Sequence, residues 1–193
     1  MTWRGALGLG LVILVAAGCA TTPTALGGLA LREGRPMDAI AEFEKALAED
    51  PARVDARIGL GIAKFRLGLY DDAVTALTDA VGRDPKQPAA RLYLALAYIR
   101  KHEDVKVEEQ LTALHGLPIE PRLSALVEQS IVLLRAAPLS DQGRTFVIAS
   151  LDYGAEWSRD LAETRLALRH AQLAWDPFWY GYGPTYVIRC RNC

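Results

Sequence analysis

The sequence is poor in the residues that carry most catalytic and metal chemistry. Its three histidines, His102, His115 and His170, are too scattered to read as a ligand set. His102-Glu103 begins like a zinc-protease helix, but the second histidine would have to stand where Lys106 is. There is no glycine-rich phosphate loop, no nucleophile elbow and no recognisable carboxylate pair. Neither sign of charge dominates, with 22 basic and 23 acidic residues. No basic stripe is present, so nucleic acid is not an expected partner. Strand-like alternation is nearly missing before the last dozen residues. These absences leave a helical protein with no proposed reaction, and no cofactor or metal is expected.

What is present is a repeat. Leu26, Gly27, Gly34, Ala39, Phe43, Ala46 and Pro51 return 34 residues later as Leu60, Gly61, Gly68, Ala73, Leu77, Ala80 and Pro85. A third copy, Leu94, Ala95, His102, Val107, Leu111, Leu114 and Ile119, keeps the apolar places and loses several small ones. Each unit reads as an antiparallel helix pair turning at a small residue, and one pair cannot bury its apolar face alone. Ala39 and Ala73 fall where the two helices of a unit touch. The composition, rich in Ala, Leu and Arg, suits helix throughout.

These residues resemble the tetratricopeptide family, which implies an all-α antiparallel helix-pair solenoid that holds peptides or proteins. The repeats are expected over residues 20–118, as units 20–53, 54–87 and 88–118. Capping helices are expected over 119–175. There Ser140 looks like an N-cap, and a long helix runs from about Asp141 to Ala174, with Gly154 as a point where it could break. Its apolar stripe through Trp157, Leu161, Leu168 and Trp175 needs a large covering surface. The aromatic, Gly- and Pro-rich tail at 176–193 reads as irregular.

The resemblance also implies a groove lined by the first helix of each unit. By spacing, its floor is Ile58, Ile62 and Phe65 in the second unit and Leu92, Leu96 and Ile99 in the third. Arg32, Arg66 and Arg100 lie 34 apart and would form a ladder along one rim. Such a groove fits an amphipathic segment with acidic flanks. The subgroup that clamps a terminal carboxylate is not matched, since Thr24, Gly28, Gly59, Ala89 and Tyr93 stand at the clamp positions. The plainer alternative is that the chain's own long helix covers the floor.

Residues 1–19 read as a targeting segment. Arg4 opens it, Gly5–Val15 is apolar but short for a bilayer span, and Ala16-Ala17-Gly18-Cys19 closes it. This end resembles the bacterial lipobox, which implies lipidation at Cys19. With Ala20 rather than aspartate next, the resemblance implies an outer-membrane anchor facing the periplasm. An ordinary cleaved signal is the alternative. Without Arg4 the chain keeps 21 basic and 23 acidic residues, a net of −2. Cys190 and Cys193 are then the two remaining cysteines. In an oxidising compartment they suit a small disulfide loop, with redox activity or half a metal site as rivals. The expectation is a non-catalytic adaptor in envelope assembly, its partner a protein or peptide. The alternative is a redox or metal-handling protein using the terminal cysteines.

Overall fold

The structure, a computed structural model, describes residues 22–179, with side chains through His170. Cys19, Cys190 and Cys193 lie outside the described residues, as does the tail from residue 180. Among the described residues there are eight helices and no strand. They are α1 (Pro23–Arg32), α2 (Pro36–Glu49), α3 (Val54–Arg66), α4 (Tyr70–Arg83), α5 (Pro88–Arg100), α6 (Asp104–His115), α7 (Pro121–Ala136) and α8 (Asp141–Trp179). The all-α solenoid expected from the repeats is what the chain forms.

Local chemistry sets the boundaries. Proline opens α1, α2, α5 and α7, where its missing N–H is one that the helix leaves unbonded anyway. Thr22 accepts from Ala25 N at 3.3 Å and Ser140 accepts from Gly143 N at 3.2 Å, each a side-chain cap. The pair turns recur at 34-residue intervals with left-handed backbone, Gly34 at φ 70° and Gly68 at φ 78°. The third copy puts His102 there at φ 60°, so the turn is kept although the glycine is not.

The 34-residue match has a packing cause. Phe43 of α2 lies flat against two glycines, Gly27 of α1 and Gly59 of α3. In the next unit Leu77 of α4 presses on Gly61 of α3 in the same way. A large residue on one helix therefore requires a small one on its neighbour, and the pair recurs together. Ala39 and Ala73 are fully buried at the helix contacts. Stacking leaves α5 sandwiched: Leu92 to Ile99 are all buried, as a helix apolar on every side must be.

Two expectations change in the last helix. It does not break at Gly154, whose bare Cα instead lets α8 approach α7. A Cβ there would come within 2.8 Å of Leu126 Cδ1 and 3.2 Å of Leu123 Cδ1. The helical backbone also runs on through Asp176 and Pro177 to Trp179, where an irregular tail was expected. Pro177 removes one backbone donor, and the helix lasts only two residues beyond it.

Candidate functional site

Helix α8 does not continue the stack as a second helix of a fourth pair. It packs on α7 and on α5, a first helix of the solenoid, and so enters the concave face. Val147, Ile148, Leu151 and Ala155 are its buried apolar side chains, and they join the same core as Leu92, Leu96 and Ile99. The expected floor of the third unit is therefore filled by the chain itself. Phe65 is buried too, its ring 5.8 Å from both Tyr70 and Tyr93. Ile58 and Ile62 are each 8% exposed.

The covering face of α8 is not the one its stripe suggested. Trp157 is 39% exposed and Leu168 60%, while Leu161 is half-buried. Val147, Ile148 and Leu151 face inward in place of that stripe. Trp175 lies beyond the described side chains. The period was right and the direction was not. Sequence spacing gives a helix two apolar faces here, and the competition between them is settled by which one fits against Leu123, Leu126 and α5.

Two of the three arginines at 34-residue spacing, Arg32 and Arg66, meet acids of the chain's own α8. Arg66 donates to Asp152 at 3.1 Å and to Glu156 at 3.0 Å, and Arg32 donates to Glu163 at 3.3 Å. Tyr93 donates its hydroxyl to Asp152 at 2.7 Å. Burial, then the neighbouring Asp152 carboxylate, push the Tyr93 phenol up to about 12. Burial works against the Arg66 charge, but the charge interactions with Tyr93 and Asp152 and the hydrogen bonds to Tyr93 and Glu156 outweigh it and raise its pKa. Arg100, the third rung, is exposed and has no ion pair among the described residues. It lines a small hollow of about 220 Å³ with His102, Asp141 and Arg144. The acids at 152, 156 and 163 share one side of α8, and that spacing was the signal that could have found them.

Coverage is incomplete over the first two units. Between α1, α3 and the far half of α8 a cleft of about 690 Å³ remains. Its floor includes Gly28, Leu31 and Ile62, and its walls carry Arg32, Arg66, Arg159 and the facing acids. A Cβ placed on Gly28 would meet nothing within 4 Å. The arrangement offers an apolar floor between charged walls. Among the described residues no three His, Cys, Asp or Glu side chains come together as a metal site.

Models of the tetratricopeptide repeat match residues 30–81 and 59–106. The chain thus contains tetratricopeptide repeats, from the end of α1 to the start of α6. Among solved structures, two of the type III secretion translocator chaperone SycD of Yersinia enterocolitica resemble it, one of them in an alternative dimer. Their TM-scores are 0.56 and 0.55, each at 21% identity and over 59% of this chain. The likeness covers 81% and 89% of those chains and shows the solenoid fold. No curated protein matches the chain. Repeats of this kind support a protein–protein interaction scaffold.

Proposed function

We propose that this tetratricopeptide-repeat chain is a membrane-anchored periplasmic adaptor that holds a protein or peptide partner during cell-envelope assembly. Lipidation of Cys19 would keep it at the outer membrane, with α1 starting four residues later. The partner site is the open cleft over α1 and α3, not the covered floor of the third unit. The observation that carries this reading is that cleft, where an apolar floor and charged walls coexist with free volume. An amphipathic segment would lay its apolar residues on Leu31 and Ile62 and exchange its charges with the walls.

Gly28 gives the test. A photo-crosslinking residue at Gly28, in cells expressing the full chain, should capture a discrete envelope protein. Gly28→Trp should abolish the partner's co-purification with the chain while leaving the melting temperature unchanged or higher, because open space surrounds that Cα and glycine is a poor helix former. Undiminished capture in Gly28→Trp would place the partner elsewhere. Fractionation of Cys19→Ala, expected to lose acyl labelling and membrane attachment, tests the anchor separately.

A further inference from the structure

The charges around the open cleft divide by origin. Among the described residues the solenoid side supplies Leu31 and Ile62 for the floor, Arg32 and Arg66 for the charge, and no acid. The acids that line the cleft, Glu156, Asp160 and Glu163, all come from α8, together with Arg159. Two of them are turned to the solenoid's arginines. Glu156 lies 3.0 Å from Arg66, which Asp152 also meets at 3.1 Å, and Glu163 lies 3.3 Å from Arg32. Asp152, Glu156 and Glu163 follow one another by 4 and 7 residues, so one side of the helix carries all three. That row answers both arginines, yet free volume remains over Leu31 and Ile62.

The two halves of α8 are held differently. Up to Ala155 the helix is fixed by buried Val147, Ile148, Leu151 and Ala155 and by Arg144 on Asp104. Beyond Ala155 no described side chain of α8 is buried, and residues 162–170 are exposed without exception. Among the described residues the α8 backbone comes within 8 Å, Cα to Cα, of α5 and α7 but not of α1 or α3. The far half therefore reaches the first two units through long side chains rather than through a packed seam. Its ion pairs are open to water: Arg32 and Glu163 are 58% and 64% exposed, Arg66 and Glu156 37% and 49%. Pairs of that kind hold weakly and are screened by salt. A helix without packing is marginal in water, and Gly154 at the join is a poor helix former.

We infer that the far half of α8 is a displaceable stand-in for the partner. The partner is then an amphipathic segment whose acids, at helical spacing, take Arg66 and Arg32 from Glu156 and Glu163 while its apolar residues cover Leu31 and Ile62. This rests on the reading of the cleft as the partner site, and adds what the partner carries and what it must displace. A basic segment would face two arginines, and an uncharged one would leave both without the acids that α8 gives them. The test uses the full chain and a fluorescein-labelled synthetic peptide of its own residues 154–168, which carries Glu156 and Glu163. In the chain, Glu156→Lys with Glu163→Lys turns attraction into repulsion at two exposed positions, so the melting temperature should hold. Hydrogen exchange should rise across residues 156–170 and stay unchanged across 144–155. The same rise in the parent chain between about 0.02 and 0.5 M salt needs no substitution. The peptide should bind the variant chain about fivefold or more tighter than the parent, and a peptide with Glu156→Gln and Glu163→Gln should bind neither. Unchanged exchange over 156–170, equal or no binding of the peptide to the two chains, or undiminished binding of the uncharged peptide overturns the inference. The Gly28 crosslink separates this outcome from the reading beneath it. Capture of the partner with equal yield in parent and variant chains would keep the cleft as the partner site and remove the stand-in.

Discussion

At the scale of single residues, the fold is governed by which side chains are missing. Phe43 is 2% exposed because Gly27 and Gly59 lack a Cβ. A Cβ on Gly59 would stand 2.2 Å from Phe43 Cζ, inside any tolerable contact, so the ring would have to shift. Gly59→Ala should therefore cost about 1–3 kcal/mol, the usual penalty for overpacking. Gly82→Ala, with nothing within 4 Å, should be neutral or gain up to about 1 kcal/mol in helix propensity. Urea unfolding of both variants checks the contrast; equal stabilities would mean that Phe43 is not held between the two glycines. The clearest residue-scale surprise is Tyr93. Its position matched one used elsewhere for clamping a carboxylate, and it does hold a carboxylate, that of the chain's own Asp152.

At the scale of elements, the repeats were legible and the last helix only in part. Phe43 and Leu77 announce their partners because a large residue recurs with a small one opposite it. Nothing comparable marks where α8 goes, since its contacts with α5 are non-local and no repeat copies them. Two apolar faces were written on α8, and spacing alone could not say that Val147 and Leu151 would win over Trp157 and Leu168. Ser140 as its cap was legible, because capping is a local property. The near half of α8 is fixed by Arg144, 8% exposed, which donates to both carboxylate oxygens of Asp104 on α6. Those hydrogen bonds hold the Asp104 carboxyl below the usual carboxylate range. The sign follows directly: a carboxyl with a depressed folded pKa lends stability above its unfolded value near 3.9, and that stability is lost as pH falls through it. Asp104→Asn should cost about 1–3 kcal/mol at pH 7, because Arg144 keeps its charge without its partner. It should also flatten the loss of stability between about pH 5 and pH 2. Thermal melts across that range would show it, and an unchanged slope would mean that Arg144 does not anchor α8 through this carboxylate.

At the scale of the whole molecule, the solenoid is a scaffold whose concave face is partly covered by α8 and partly open. The third unit's floor is spent on α8, the first and second units keep an open cleft, and the two regions meet at Arg66. That arginine sits where the covered floor ends, held by Asp152 and Glu156 from a helix some 90 residues away in sequence. That division requires α8 to lie across the concave face at that point. The direct measurement is a double-mutant cycle on the full chain, Arg66→Ala and Asp152→Ala singly and together, read by denaturant unfolding. If α8 crosses the groove as described, the single substitutions are not additive, and the cycle returns a coupling of about 0.5 kcal/mol or more. Additivity within about 0.3 kcal/mol, with both single variants folded, would put α8 away from Arg66 and leave the groove open along its whole length.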